Sequence, residues 1–238
     1  MTPTAAATRP DPATLEVGDF LWPKLEGQWV PYFESPNGIS PDADRARWEQ
    51  DRDAYVRRVR RGPKATFIEK ERATDLEQMS YADFRRVYFG DTTRQAELLR
   101  LSFYTGHVAM VHQVTPDIGI VDATTKNNVK YGWSWQGWLD ERPGCWVWHA
   151  RLKERGKDER DAIARTAVGE HDKVFNIWNF DLGDDREFYC SKLMWYSVWT
   201  TLGLALDDMP WTTRLVWFSP KQLMHSPHVD VLFSPGNY

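Results

Sequence analysis

A cysteine stands where a polar turn gives way to an apolar run, in the stretch EFYCSKLMWYSVW at 187–199. This pattern places Cys190 in the first turn of a predicted helix, where unpaired N–H groups and the helix dipole favour an anion. A thiolate in such a position is a stronger nucleophile than a buried thiol. The same position also suits a small apolar residue at the start of a buried helix, so this stretch alone leaves both interpretations open.

A histidine and a carboxylate could complete the chemistry of the cysteine. His107 follows Gly106 at the start of the apolar strand HVAMV. A histidine at a strand end can face a helix N-terminus and accept the proton of a thiol. Asp122 lies on the returning strand of the same predicted hairpin and could hold the other imidazole nitrogen. The register of the hairpin cannot be read from the sequence, so spacing alone does not put the two side chains on one face.

The other cysteine and a pair of histidines give weaker signals. Cys145, in PGCWVW, has aromatic neighbours and no nearby base, which favours a structural role. His225 and His228 are close in sequence, but zinc needs further ligands and no obvious set accompanies them. We therefore predict neither a metal site nor a cofactor.

An aromatic stretch, YGWSWQGWLDERPGCWVW at 131–148, permits two interpretations. Trp133, Trp135 and Trp138 could line a sugar-binding cleft, or they could pack an irregular loop. The packing interpretation is the one we favour. If the cysteine is not catalytic, this stretch is the candidate surface of a binding module.

The composition narrows the classes of protein to consider. The chain of 238 residues is 42% apolar, which suits one large domain or one domain with an insertion. Its net charge of −4 gives no signal for nucleic acid. Two cysteines in so long a chain indicate free thiols in a reducing compartment. The N-terminal residues lack the apolar core of a secretory signal and no apolar run is long enough to span a membrane, so synthesis as a cytoplasmic chain is expected.

The predicted strands and helices are segregated along the chain, which favours an α+β fold with an antiparallel sheet packed against helices. Strands are predicted within 15–23, 102–114, 118–125 and 145–150, and at both ends of 213–233, where a Ser-Pro turn separates them. Helices are predicted at 43–62, 80–90, 151–171 and 185–204. Pro23 is expected to end the first strand. Residues 1–14, rich in Thr, Ala and Pro, are predicted to be a disordered tail.

Several stretches, taken in chain order, resemble the circularly permuted branch of the NlpC/P60 superfamily, the papain-like cysteine hydrolases that include YiiX-like proteins. The similar stretches are VGDFLW (17–22), TGHVAMV (105–111), VDATT (121–125), HDKVF (171–175), FYCSKLMWYSV (188–198) and FSPKQLMHSP (218–227). In the permuted branch the histidine strand precedes the cysteine helix, as His107 precedes Cys190 here. The resemblance implies a papain-like hydrolase domain at 15–238 with a helical insertion at about 25–100, a segment that has no counterpart in the family.

The resemblance also implies roles for individual residues. Cys190 would be the nucleophile, His107 the general base and later the general acid, and Asp122 the group that orients the imidazole. Gln136 is the alternative orienting residue. The backbone N–H of Cys190 would form half of an oxyanion hole. Asp19, in the strand that carries the Gly-Asp pair, would have a structural role.

A cysteine amidase or peptidase is the function that the resemblance implies. The usual substrate in this superfamily is a peptide bond of peptidoglycan, and relatives include antibacterial toxins delivered by type VI secretion into the periplasm of rival cells. Such an effector would have an immunity protein and a secretion apparatus as partners. The alternatives are a lipid or acyl ester hydrolase or acyltransferase of the same fold, a non-catalytic binding module on a papain-like scaffold, and a cytosolic hydrolase of a small-molecule amide.

Overall fold

The protein is described here by a computed structural model that covers residues 7–25, 30, 41–62, 67–85, 106–177, 179–214, 217–236 and 238. The chain divides into two compact units. One unit comprises Met1–Lys24 and Gly106–Asn237, and the other comprises Leu25–Thr105 with Tyr238. The second unit spans nearly the same residues as the predicted insertion.

Eight strands lie in the described residues. They are β1 (Phe20–Leu25), β2 (Ala109–Gln113), β3 (Gly119–Thr124), β4 (Asn128–Ser134), β5 (Cys145–Leu152), β6 (Val174–Phe175), β7 (Glu187–Phe188) and β8 (Val229–Phe233). Six of them form one sheet in the order β4-β3-β2-β1-β5-β8, while β6 and β7 pair in parallel as a separate ribbon. The pairs β1–β2, β2–β3, β3–β4 and β5–β8 are antiparallel.

Seven α-helices are described. They are α1 (Pro41–Arg61), α2 (Phe67–Gln78), α3 (Tyr81–Arg85), α4 (Trp135–Asp140), α5 (Lys157–Gly169), α6 (Cys190–Leu202) and α7 (Pro220–Met224). In the first unit α5 and α6 pack against each other and against β2, and α6 also contacts β3. The predicted α+β class, with an antiparallel sheet packed against helices, is confirmed.

The core of the first unit explains why these segments form strands. Leu21, Ala109, Val111 and Ile120 are fully buried in one apolar cluster, which also contains Trp138. Alternating residues of a strand point to one face of the sheet, so Ala109 and Val111 of β2 reach this cluster together. Burial of a larger side chain of this cluster, such as Val111, stabilises the fold by about 1.5–3 kcal/mol.

The first strand runs past the proline that was expected to end it. β1 continues to Leu25 and so includes Pro23. The pairing of β1 with β2 involves Phe20 and Leu21, and Pro23 lies beyond those two pairs. A residue without an N–H group is tolerated there because it removes no bond from that part of the ladder.

The prediction for the C-terminal segment is wrong in its first half. Thr213 forms an isolated bridge with Asp181, and the residues around it form no strand within the described part of the segment. Ser219 and Pro220 do not make a turn between strands but begin α7. The Ser219 hydroxyl accepts a hydrogen bond from the Gln222 N–H at 3.0 Å, which is the arrangement of a capped helix start with proline in the first turn. The final strand is present as β8.

Two elements of the aromatic stretch were not predicted. β4 is an edge strand whose buried and exposed residues do not alternate, so no period of two in the sequence marks it as a strand. The six-residue helix α4 follows it, and the Ser134 hydroxyl caps this helix by accepting the Gly137 N–H at 3.1 Å. This part of the stretch is therefore helical rather than an irregular loop, and Trp138 and Leu139 are its buried residues.

Part of the segment assigned to a disordered tail lies against the sheet. The Val147 N–H of β5 donates to Thr8 O at 2.9 Å, and the Arg9 Nε donates to Cys145 O at 3.2 Å. Asp11 then caps a short 3₁₀ helix at Pro12–Thr14. These hydrogen bonds give residues 7–14 a fixed path, and residues 1–6 lie outside the described residues.

The second unit contains the predicted surface helices. α1 covers the predicted helix 43–62, and α3 covers the start of the one predicted at 80–90, whose last residues lie outside the described ones. Trp48 of α1 lies 5.5 Å from Tyr81 between ring centroids, with the two rings tilted by 48°, and Arg60 bonds to Glu77 of α2. Among the described residues of the whole chain, no helix is both long enough and apolar enough to cross a membrane.

Candidate active site

Cys190 is the first residue of α6. The residues on either side of it hold this end of the helix against Phe218. Tyr189 is the N-cap, and its hydroxyl accepts the Phe218 N–H at 2.9 Å. The Ser191 hydroxyl donates to Phe218 O at 2.5 Å. The first backbone bond of the helix runs from the Leu193 N–H to Tyr189 O at 3.0 Å, so the N–H of Cys190 lies in the turn that helix geometry leaves unused. A thiol and a spare backbone donor therefore come from one buried residue.

The register of the β2–β3 hairpin puts His107 and Asp122 on one face of the sheet. Met110 lies opposite Val121, so the next pair outward sets Ala109 against Asp122. His107 lies two residues before Ala109, and side chains two positions apart along an extended chain share a face. Gly106 just before it has φ of 83°, a conformation that glycine adopts without strain. The His107 Nε2 lies 2.7 Å from Asp122 Oδ1 and 2.9 Å from Oδ2.

The thiol and the carboxylate both act on the His107 ring. Cys190 acts on the imidazole by raising its pKa, as Asp122 does. Because Nε2 faces Asp122, Nδ1 is the ring nitrogen that remains for the Cys190 thiol. Burial by itself lowers the pKa of His107, but the charges of Asp122 and Cys190 and the hydrogen bonds to both side chains raise it to about 10. The structure thus brings all three predicted site residues together, with an imidazole that is protonated at neutral pH beside the Asp122 carboxylate.

Two residues that the sequence analysis did not assign to this site hold the carboxylate. Trp138 Nε1 donates to Asp122 Oδ2 at 2.9 Å, and Arg142 Nη2 donates to the same oxygen at 2.7 Å. Burial alone raises the pKa of Asp122, but the charges of His107 and Arg142 and the hydrogen bonds from His107 and Trp138 lower it. Asp122 is therefore ionised although only 1% of its side chain is exposed.

The sequence contained a signal for these two residues. Ser134 is a helix N-cap, and Trp138 and Arg142 are four positions apart, the spacing at which side chains of a helix and its C-terminal turn meet. The Arg142 guanidinium lies 4.5 Å from the centroid of the Trp138 ring. The fallback orienting residue, Gln136, is not at the site: its amide donates to Asp140 at 2.7 Å on the exposed side of α4.

A second Asp–His pair lies elsewhere in the first unit. Asp19, fully buried, accepts His149 Nε2 at 2.7 Å and Arg151 Nε at 2.7 Å. Burial alone raises the pKa of Asp19, but the hydrogen bonds from Arg151 and His149 lower it. Arg151 also bonds to Glu16, which in turn bonds to Arg160 of α5. This network joins the N-terminal segment to β5 and α5, and it has the architecture of a structural ion-pair cluster.

The other candidate residues are apart from this site. Cys145 begins β5 and is half-buried, and burial raises the pKa of its thiol. His228 bonds to Asp208 at 2.6 Å. Within the part of the chain that the structure describes, no group of three or more histidine, cysteine, aspartate or glutamate residues is placed to hold a metal ion. Trp135 stacks on Trp138 at 6.0 Å between centroids, which favours a packing role for that pair.

The burial of a lysine in the first turn of α6 is expected to lower the free energy of unfolding. Lys192 is fully buried, its Nζ has no hydrogen-bond partner among the described residues, and burial lowers its pKa to about 8. Its Nζ lies 5.4 Å from the centroid of the Phe188 ring. Such a cation–π contact contributes about 1 kcal/mol, less than the several kcal/mol that removing a charge from water costs.

Lys192→Met is therefore expected to raise the free energy of unfolding by about 1 kcal/mol, measured by urea denaturation at pH 7. Lys173→Met is the matched control, because the Lys173 Nζ is paired with Glu170 at 2.5 Å and Asp185 at 3.2 Å. The control is expected to gain no stability. A Lys192→Met protein less stable than the wild type would contradict this account of the first turn.

The raised pKa of His107 makes the stability of the fold depend on pH. Its folded value of about 10 lies above its ordinary value of 6.5, so protonation of His107 stabilises the folded state. This contribution is complete below about pH 6.5 and is lost as the pH rises through about 10.

Urea unfolding of the wild type and of His107→Gln tests this pH dependence. The difference in unfolding free energy between the two proteins is expected to shrink by a few kcal/mol, as an order of magnitude, between pH 6.5 and pH 10.5. A difference that stays constant over this range would show that the imidazolium is not stabilised by Asp122 and Cys190.

The arrangement has the parts of an acyl-transfer site. It holds a thiol, an imidazole whose pKa that thiol helps to raise, a buried carboxylate on Nε2 of the ring, and the backbone N–H of the cysteine at the helix start. An imidazolium held beside a thiol favours the thiolate form of that thiol.

Comparisons with known proteins do not assign the chain to a family. No protein-family model matches the chain, and no curated protein matches it. Among solved structures, the chain is similar to the crystal structure of metalloprotein yiiX from Escherichia coli O157:H7. That match has 16% sequence identity and a TM-score of 0.44, and it covers 60% of this chain and 91% of the other. The chemistry of the site is accordingly inferred from its own geometry.

Proposed function

We propose that this protein is a cysteine hydrolase that cleaves an amide bond, with Cys190 as nucleophile, His107 as acid and base, and Asp122 as the orienting residue. The single observation that carries the proposal is that one imidazole ring, that of His107, is held by Asp122 at 2.9 Å and has its pKa raised by both Asp122 and Cys190. The family we propose is the circularly permuted NlpC/P60 branch, since His107 precedes Cys190 in the chain and the motifs described above follow that order.

The first half of the reaction uses the proton already held on the imidazole. The Cys190 thiolate attacks the carbonyl carbon of the amide, and the Cys190 N–H donates to the oxygen that becomes negative. When the tetrahedral intermediate collapses, the carbon–nitrogen bond breaks and His107 Nδ1 gives its proton to the leaving amine. The acyl group is then held as a thioester on Cys190.

The second half returns the site to its starting state. His107, now neutral, removes a proton from a water molecule as the water attacks the thioester carbonyl. The carbon–sulfur bond breaks, the acid product leaves, and the thiolate and imidazolium are restored. Asp122 stays ionised through both halves and holds the ring with Nδ1 toward the sulfur.

We propose a peptide bond of peptidoglycan as the substrate and antibacterial action in the periplasm of a target cell as the role. The motif resemblance supports this substrate class, and the second unit at Leu25–Thr105 offers a separate surface for an immunity protein or a secretion partner. Type VI delivery is part of the same proposal.

Incubation of the purified protein with peptidoglycan sacculi and with soluble muropeptides tests the function. New amino termini released from the peptides, and found by mass spectrometry at a single type of bond, are the expected result. Fluorogenic fatty acyl esters are assayed in parallel, because an ester hydrolase would use the same three residues. Turnover of the esters with intact muropeptides would replace the peptidoglycan proposal, and turnover of neither would favour a binding module.

A further inference from the structure

Two cations share one carboxylate at the site. Arg142 Nη2 and His107 Nε2 both lie within hydrogen-bond distance of Asp122 Oδ2, at 2.7 and 2.9 Å, and they lie 3.4 Å from each other. When the imidazole is protonated, both nitrogens are donors, so the 3.4 Å contact is one between like charges. The negative charge of Asp122 offsets the repulsion between these two cations.

Arg142 is held in place independently of the histidine. Its guanidinium lies over the Trp138 ring at 4.5 Å, and its Nη1 donates to Trp138 O at 3.0 Å. Its backbone N–H donates to Leu139 O at 2.9 Å. These contacts come from α4 and the turn after it, so the guanidinium would remain beside Asp122 whether or not His107 is charged.

We propose that Arg142 is a positioning residue that takes a share of the Asp122 carboxylate, fixing its orientation and weakening its hold on the proton of His107. The relevance of this role to turnover rests on the proposed function. A proton held too strongly by the imidazole is a poor acid for the leaving amine. Arg142 thus opposes the stabilisation of the imidazolium by Asp122, so that His107 can still donate its proton to the leaving amine.

The other groups around the ring do not supply the same effect. Among the described residues, charged or titratable side chains set against His107 include Asp122 from β3, Arg142 from the turn after α4 and Cys190 from α6. Asp122 and Cys190 favour the protonated ring, and burial opposes it. Of these three side chains Arg142 is the cation, and removing it takes away a positive charge that competes with His107 for Asp122.

The test is a titration of His107 by NMR in protein labelled with ¹³C-histidine, with the resonance assigned by its loss in His107→Ala. In Arg142→Met the titration midpoint is expected to move up by about one unit, the low end of the effect of an adjacent charge. At pH 10 the protonated fraction of His107 then rises from about one half to about nine-tenths. Arg142→Lys keeps the charge and is expected to move the midpoint by less than half as much.

Two further variants separate the charge of Arg142 from the hydrogen bonds to Asp122. Arg142→Gln is also neutral but keeps a donor, so it is expected to shift the midpoint in the same direction if Arg142→Met does not fold. Trp138→Phe removes an N–H donor and no charge, and its midpoint is expected to stay within a few tenths of a unit of the wild type. A midpoint that is unchanged or lower in a folded neutral variant would overturn the proposal.

This test separates the inference from the proposed function. The histidine titration needs no substrate, so an upward shift in Arg142→Met supports the role of Arg142 even if the protein cleaves no amide. If the protein does cleave one, the variant is expected to lose kcat more than it changes KM, because the acid step is affected and substrate contacts are not. A loss of kcat with no shift of the midpoint would mean that Arg142 has only a structural role.

Discussion

Cys190→Ala is expected to reduce amide hydrolysis by on the order of 10⁴-fold or more, because the chain then lacks the atom that carries the acyl group. Alanine preserves the backbone N–H at the start of α6 and removes only the sulfur. The fold is expected to survive, since Tyr189 and Ser191 still tie this end of the helix to Phe218. The measurement is the initial rate of product formation, with circular dichroism as the check on folding.

Cys145→Ala is the matched control for this substitution. Cys145 lies at the start of β5, and burial raises the pKa of its thiol, so it is a poor source of thiolate at neutral pH. Its removal is expected to change the rate by less than about twofold. Full activity in a folded Cys190→Ala protein, or a similar loss in both variants, would contradict the assignment of the nucleophile.

Asp122→Asn is expected to lower kcat by roughly 10²–10⁴-fold while leaving KM nearly unchanged. Asparagine keeps the shape of the side chain but cannot stabilise a positive imidazolium. An amide nitrogen facing Nε2 would also favour the ring tautomer that carries its proton on Nδ1, the nitrogen that must receive the proton of the thiol. The loss is therefore expected in the chemical step.

Asp19→Asn is the matched control for Asp122→Asn. Asp19 is as buried as Asp122 and, like it, bonds to a histidine and an arginine. Its partners, His149 and Arg151, join structural segments and not the thiol. The variant is expected to lose a few kcal/mol of unfolding free energy, since it leaves two buried donors with a weaker acceptor, and to keep kcat at temperatures where it is folded. An equal loss of kcat in both variants would mean that Asp122 acts only through stability.

Much of the site could be predicted because the thiol, the imidazole and the carboxylate lie on well-patterned elements. The buried strands β2 and β3 have runs of apolar residues bounded by turn residues, which mark them without further information. The approach of His107 to Asp122 could not be predicted from spacing alone, because it depends on which residues pair across the hairpin. That register is set by the packing of the sheet.

The supporting residues escaped prediction for a different reason. Trp138 and Arg142 lie in and just after a six-residue helix inside an aromatic stretch, where packing against the core outweighs helix propensity. β4 shows no alternation because it is an edge strand with few buried positions. Pro23 misled the prediction since a proline normally ends a strand, whereas here it lies past the pairs that join β1 to β2.

The most direct test of the pairing of Cys190 with His107 is the rate at which iodoacetamide alkylates each cysteine of the native protein at pH 7, read by peptide mapping. Cys190 is expected to react about tenfold faster than Cys145 or more, and to lose that advantage in His107→Ala, because the imidazolium beside it favours the thiolate. A Cys190 that reacts no faster than Cys145, or equally fast in the wild type and in His107→Ala, would contradict the catalytic assignment.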